Sequence, residues 1–199
     1  MTWIVKDEEE DEFFKELKNL PDRVVGILAT TIIDERLEHA LKAHFYDVKY
    51  DGQMLFDKMF NYSAILGSFG ARIDVGFAIG IYGEDAFRDL HTIRKIRNQF
   101  AHKLAPKDFK IQSVADLAAN LKIPSNYPII GKGGVSSTGE NPSQFQIAKT
   151  MLAHSSVTDL TDPRSRFIRA AELLSGFLMF SEFWVHGTDP TKTRHVPEF

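Results

Sequence analysis

The chain has 199 residues, no cysteine and a formal charge of −3, and 43% of its residues are hydrophobic. That length and apolar content suffice for one core and one domain, while the missing cysteines exclude disulfides, thiolate metal sites and a cysteine nucleophile together. The charge is uneven: the first twelve residues carry six acids and one lysine, leaving residues 13 to 199 at +2, whereas sequence-independent nucleic-acid binding needs several Lys and Arg to neutralise phosphates.

The start Met-Thr-Trp-Ile-Val-Lys runs straight into Asp7 to Glu12, without the basic start and apolar run of a signal peptide. Asp34, Asp74 and Glu172 interrupt the most hydrophobic segments, so no membrane span is expected. A cytoplasmic location is the expectation.

Residues 7 to 20 read as an acidic helix with Phe13, Phe14, Leu17 and Leu20 on one stripe, ended by Pro21. Residues 1–21 thus form an acidic helical arm ahead of a domain over 22–187. Asp22 is the expected N-cap of a long central helix reaching about Tyr46, its buried face marked by Val24, Leu28, Ile32, Leu37, Leu41 and Phe45. Asp34, Glu35, Glu38 and His39 lie along it, but the Glu-x-x-His motif of carboxylate-bundle metal sites occurs nowhere. A polar face with local pairs, such as Glu35 with His39, is expected and no metal.

Asp51-Gly52 reads as a turn, followed by a short helix over 53–60 in which Met54 and Met59 fill core gaps. From Ser68 to Tyr82, Phe69, Ile73, Phe77 and Ile81 follow a four-residue step. Gly70, Ala71, Gly76, Ala78 and Gly80 lie among them, small residues that point to close approach of another helix. Arg72 and Asp74 are the only charges there and are expected in structural ion pairs.

Gly83-Glu84-Asp85 launches a basic helix to Lys103 or Leu104, stopped by Ala105-Pro106. Phe87, Leu90, Ile93, Ile96, Phe100 and Leu104 should face inward, with His91, Asn98 and His102 on a second stripe. A short helix over 113–121 follows, then a Pro/Gly-rich loop over about 122–141. Its Gly131-Lys-Gly-Gly lacks the phosphate-loop pattern. Asn141-Pro142 and Asp162-Pro163 each open a helix, the second running from Arg164 to Val185 over Phe167, Ala171, Leu174, Leu178 and Phe183 or Trp184, and 188–199 is a tail. No stretch alternates with period two, so the fold expected is an all-α, single-domain multihelical bundle of about seven to eight helices.

Arg97, Asn98 and His102 form an Arg-x-x-x-x-His pattern, a credible pair for phosphodiester cleavage because histidine moves protons near neutral pH and arginine stabilises charge developing on phosphate. On one helix, however, Arg97 and His102 lie about 140° apart, so a shared site needs two copies across a homodimer. The other reading pairs Arg97, on the inward arc, with Asp34 or Asp74. Ser136, Ser137, Ser155 and Ser156 lie in no nucleophile elbow, and no cofactor is expected.

Four blocks, Ile27-Leu-Ala-Thr-Thr-Ile-Ile-Asp-Glu-Arg-Leu-Glu, Leu66-Gly-Ser-Phe-Gly-Ala-Arg-Ile, Asp89-Leu-His-Thr-Ile-Arg-Lys-Ile-Arg-Asn-Gln-Phe-Ala-His and Asp162-Pro-Arg-Ser-Arg-Phe, resemble the mannitol operon repressor family of bacteria over roughly residues 22 to 185. That resemblance implies a multihelical bundle and a role in regulating mannitol uptake and use. No helix-turn-helix candidate accompanies it, so regulation through a protein partner is expected rather than direct DNA binding, with His91, Arg94, Asn98 and His102 near the contact or ligand site. The Arg97-Asn98 to His102 block also resembles the HEPN superfamily of helical dimers, which implies metal-independent RNA cleavage or a toxin-type module as the alternative.

Overall fold

A computed structural model describes residues 8–46, 48–102, 108–126 and 159–186. Eight α-helical segments and a minute hairpin occupy them: α1 (Glu8–Leu17), α2 (Asp22–His44), β1 (Lys49–Tyr50), β2 (Gln53–Met54), α3 (Leu55–Met59), α4 (Phe69–Ala78), α5 (Glu84–His102), α6 (Gln112–Ala119), α7 (Ile123–Asn126) and α8 (Pro163–His186). The protein is an all-α bundle. The expected helix over 142–154 and the tail lie outside the described residues, as does most of the 122–141 loop, of which 123–126 are helical.

Helices α2 and α8 form the central pair, with α5 against α2, α4 against both α5 and α2, and α6 against α8 and α5. Val25, Ala29, Ile33, Leu37 and Leu41 of α2, Leu90, Ile93, Ile96 and Phe100 of α5, and Phe167, Ala171, Leu174 and Leu178 of α8 share one core. The inward face of α2 is rotated from expectation: Val24, Leu28, Ile32 and Phe45 are half-buried, while Val25, Ala29 and Ile33 are fully covered. Small residues cause this, because Gly26 and Ala29 let neighbouring helices approach more closely than a larger side chain allows. A Cβ on Gly26 would lie 2.3 Å from Cδ2 of Phe100, whose ring packs against Phe109 at 5.0 Å, and Phe109 against Phe167 at 5.1 Å.

Asp22 is not the N-cap of α2; Pro21 occupies that position. Its carboxylate instead accepts from the Phe109 N–H at 2.9 Å and from Arg164 Nη1 at 2.7 Å. Arg164 Nη2 also reaches the Leu17, Lys18 and Leu20 carbonyls, so one guanidinium closes the C-terminal end of α1 and joins it to α8. Arg166 reaches the Leu121 carbonyl and the Ser125 hydroxyl. Asp89, 1% exposed, accepts the N–H groups of Lys122 and Ile123, holding the start of α7. Burial pushes the Asp89 carboxyl above its ordinary range, opposed by those amides. Asp162, ahead of Pro163, caps α8 through the Ser165 N–H at 2.9 Å.

The Asp51-Gly52 turn closes an antiparallel hairpin, with both residues at positive φ, 55° and 74°. Two-residue strands are too short to leave an alternating signature, which is why the sequence reads as purely helical there. Helix α4 ends in a Schellman arrangement: Gly80 at φ 79°, the Ile81 N–H on the Gly76 carbonyl at 2.9 Å and the Gly80 N–H on that of Phe77 at 3.0 Å.

Candidate functional site

Helix α5 carries the candidate residues, and α2 and α4 position it. Arg72 locks α4 to α2: Nη1 donates to Asp34 at 2.8 Å, Nη2 lies 2.9 Å from Glu38, and Nε donates to the Leu66 carbonyl at 2.9 Å. Burial raises the Asp34 carboxyl above its ordinary range, with Arg72 acting against it and the more distant charge of Arg97 in the same sense as Arg72. Glu38 also meets Lys42 at 2.8 Å, so the i,i+4 pair on α2 is Glu38 with Lys42 rather than Glu35 with His39.

Asp74 pairs with His91, whose Nε2 lies 3.0 Å from Oδ1 and donates in the tautomer that carries the proton there. The His91 ring meets Phe87 edge-on at 4.7 Å, and Phe87 stacks on Phe77 at 4.5 Å, so His91 is part of the seam between α4 and α5. Tyr82 closes the far end of that seam: its hydroxyl donates to the Ile73 carbonyl at 2.7 Å over Gly76. Burial, with the Asp74 charge adding to it, holds that hydroxyl protonated well above its ordinary range.

Arg97 is exposed, not set on the inward arc, and pairs with neither Asp34 nor Asp74. Nη1 donates to Asn98 Oδ1 at 3.3 Å, and its other donors have no partner among the described residues. Asp34 is engaged by Arg72 and Asp74 by His91, which is why neither acid reaches it. Asn98 is half-buried beside it. His102 is the last residue of α5, and its side chain lies outside what is described.

Arg94, one turn before Arg97, is half-buried, with Nε fully enclosed and no hydrogen-bond or ion-pair partner among the described residues. Its guanidinium lies over Gly70 in the first turn of α4: a Cβ there would sit 3.3 Å from Nη1, 3.4 Å from Cζ and 3.6 Å from Nε. The small-residue pattern of this segment did signal close approach, but the approaching groups are the side chains of Arg94 at Gly70 and Tyr82 at Gly76.

A second surface was not anticipated from the sequence. Between α3 and α4 the chain folds on itself through bonds from the Ala64 N–H to the Asn61 carbonyl, Leu66 to Met59 and Gly67 to Ala64, and this loop holds Tyr62 97% and Ile65 73% exposed. Tyr-Ser-Ala-Ile at 62–65 has the composition of a buried turn, so only tertiary placement reveals it. Ile65 stands three residues before Ser68, the N-cap of α4, so the loop leads directly into the turn that Arg94 covers.

Among the described residues no three His, Asp or Glu side chains converge as a metal ion requires, and no helix is long and apolar enough to cross a membrane. Fold and site together define an all-α bundle with Arg94 and Arg97 on α5 and with Tyr62 and Ile65 exposed on the loop that leads into α4. Comparison with protein-family models, with curated proteins and with solved structures finds no match for this chain.

Proposed function

We propose that this protein is a cytoplasmic regulator of the mannitol operon repressor kind that acts by binding a protein partner. The observation that carries the reading is the loop between α3 and α4, which holds Tyr62 and Ile65 outward on a hydrogen-bonded frame. Large apolar side chains presented on a rigid frame bind at low entropic cost, and a tyrosine anchor is a frequent energetic centre of protein interfaces. Arg97 and Asn98 on α5 supply polar contacts at the edge of such an interface, where charge steers the encounter and selects the partner. The test is capture of the partner by tagged protein in cells grown on mannitol, followed by binding with the purified pair. Tyr62→Ser with Ile65→Ser is expected to weaken that pair about tenfold or more. Equal binding by the double variant, or tight sequence-specific binding of operator DNA at physiological salt, sinks the proposal.

A second reading, metal-independent RNA cleavage by two copies of α5, draws on the exposure of Arg97 and its bond to Asn98, which leave guanidinium donors for a phosphate. The regulatory reading predicts that neither wild type nor His102→Ala cuts single-stranded RNA in EDTA. Cleavage by the wild type that is lost in the variant establishes the nuclease instead.

A further inference from the structure

The loop between α3 and α4 is held in three ways. Leu66, 1% exposed, anchors it in the core, and the Leu66 carbonyl accepts from Arg72 Nε at 2.9 Å. Two successive turns shape it: the Ala64 N–H bonds the Asn61 carbonyl at 2.8 Å and the Gly67 N–H that of Ala64 at 3.0 Å, while the Leu66 N–H returns to the Met59 carbonyl at 2.9 Å. The third hold is Gly67 itself. A Cβ there would stand 2.4 Å from the carbonyl oxygens of both Asn61 and Tyr62, and 2.7 Å from the Tyr62 carbonyl carbon. All three are backbone atoms, so no change of rotamer makes room for a side chain. Among the described residues the glycines at positive φ are Gly52 and Gly80, so position 67 requires glycine for space and not for backbone conformation.

This closure brings the Asn61 and Tyr62 carbonyls onto Gly67 and leaves Tyr62 97% and Ile65 73% exposed. The segment Asn-Tyr-Ser-Ala-Ile-Leu-Gly at 61–67 carries no charge. Its own contribution to a complex therefore depends on apolar fit and not on long-range attraction. Such a fit needs the two side chains held at fixed spacing before contact, since every residue ordered on binding subtracts from affinity.

We infer that Gly67 is the positioning residue of the partner site. It holds Tyr62 and Ile65 in place by admitting the backbone of 61–62 against itself, and the contact is made by the side chains it positions. The identity of the site as a partner surface rests on the regulatory reading; the closed loop rests on its own geometry.

The experiment is amide hydrogen exchange of the full chain, with chymotrypsin cleavage after Tyr62 read by mass, on wild type, Gly67→Ala and Ile96→Val. In wild type the Ala64 and Leu66 amides are expected to be protected, and the bond after Tyr62 to resist cleavage despite its exposure. Gly67→Ala is expected to lose about tenfold or more of that protection and to be cut correspondingly faster. Ile96→Val weakens the whole fold by removing a fully buried methyl group, and should leave both readings at the loop unchanged, because the loop opens without global unfolding. Against the partner captured by wild type, Gly67→Ala should bind about tenfold more weakly although Tyr62 and Ile65 are intact. The inference is overturned if Gly67→Ala keeps wild-type protection, if Ile96→Val opens the loop as much, or if Gly67→Ala with an opened loop keeps wild-type affinity. Should Gly67→Ala not fold, the wild-type amides decide: protection that persists in Ile96→Val upholds the closed loop, and its absence overturns it. Capture of no partner overturns the regulatory reading instead, and the exchange results still decide whether Gly67 holds the loop.

Discussion

Replacing Arg72 with Met is expected to destabilise the protein by about 3 kcal/mol at pH 7, a value between those of exposed and fully buried ion pairs. The arginine is mostly covered and serves three acceptors at once, Asp34, Glu38 and the Leu66 carbonyl. Methionine retains most of the aliphatic packing, so the loss is electrostatic and falls on the acids left behind. Burial already raises Asp34, and Arg72 is the chief influence lowering it. Without Arg72 its folded-state value moves further above the ordinary carboxylate range. A carboxyl whose value is raised on folding contributes its stability fully below the unfolded value and loses it as pH rises through the folded value. The deficit of the variant is therefore expected to be largest near neutral pH and to shrink as pH falls toward 4. Urea unfolding of both proteins across that range measures it, and a deficit that grows on acidification contradicts this account.

Gly26→Ala is the second large effect, and its sign is the informative part. At an exposed helical position the change stabilises by about 1 kcal/mol through helix propensity. At Gly26 the new methyl carbon would stand 2.3 Å and 2.8 Å from two carbons of the Phe100 ring. That ring is fully buried and confined by Phe109. Overpacking of this kind costs about 1 to 3 kcal/mol and sometimes more, so a net loss of about 2 kcal/mol is expected after the helical gain. Calorimetric unfolding tests this directly. Combining Gly26→Ala with Phe100→Leu should recover part of the loss, since the smaller side chain vacates the contested volume; strict additivity of the two changes rules the clash out.

The two substitutions also mark where sequence reading stops. The periodicity of α5 places Leu90, Ile93, Ile96 and Phe100 inside, and all four are fully buried. The same periodicity puts Arg97 beside them, yet it is exposed, because α4 covers the flank holding His91 and Arg94 instead. In α2 the apolar stripe misleads by one position, because Gly26 and Ala29 count little as hydrophobes but govern how closely α5 and α8 approach. Arg169, in the middle of α8, is 1% exposed and meets Glu172 at 3.3 Å, a burial that no local pattern announces.

What this sequence determined by itself is local and short-ranged: the all-helical character, the helix start at Asp162-Pro163, the Asp51-Gly52 turn and the inward residues of α5. Each depends on backbone preference or on side chains within about one turn, so the residues involved are neighbours in the chain. Tertiary structure alone decided the partners of the charges that join one helix to another. Arg72 turns to Asp34 and Glu38, His91 to Asp74, Arg164 to Asp22, and the Arg94 guanidinium lies over Gly70 in the first turn of α4. Charge pairing depends on separations of a few ångströms between helices far apart in the chain, and only the packed core sets those separations.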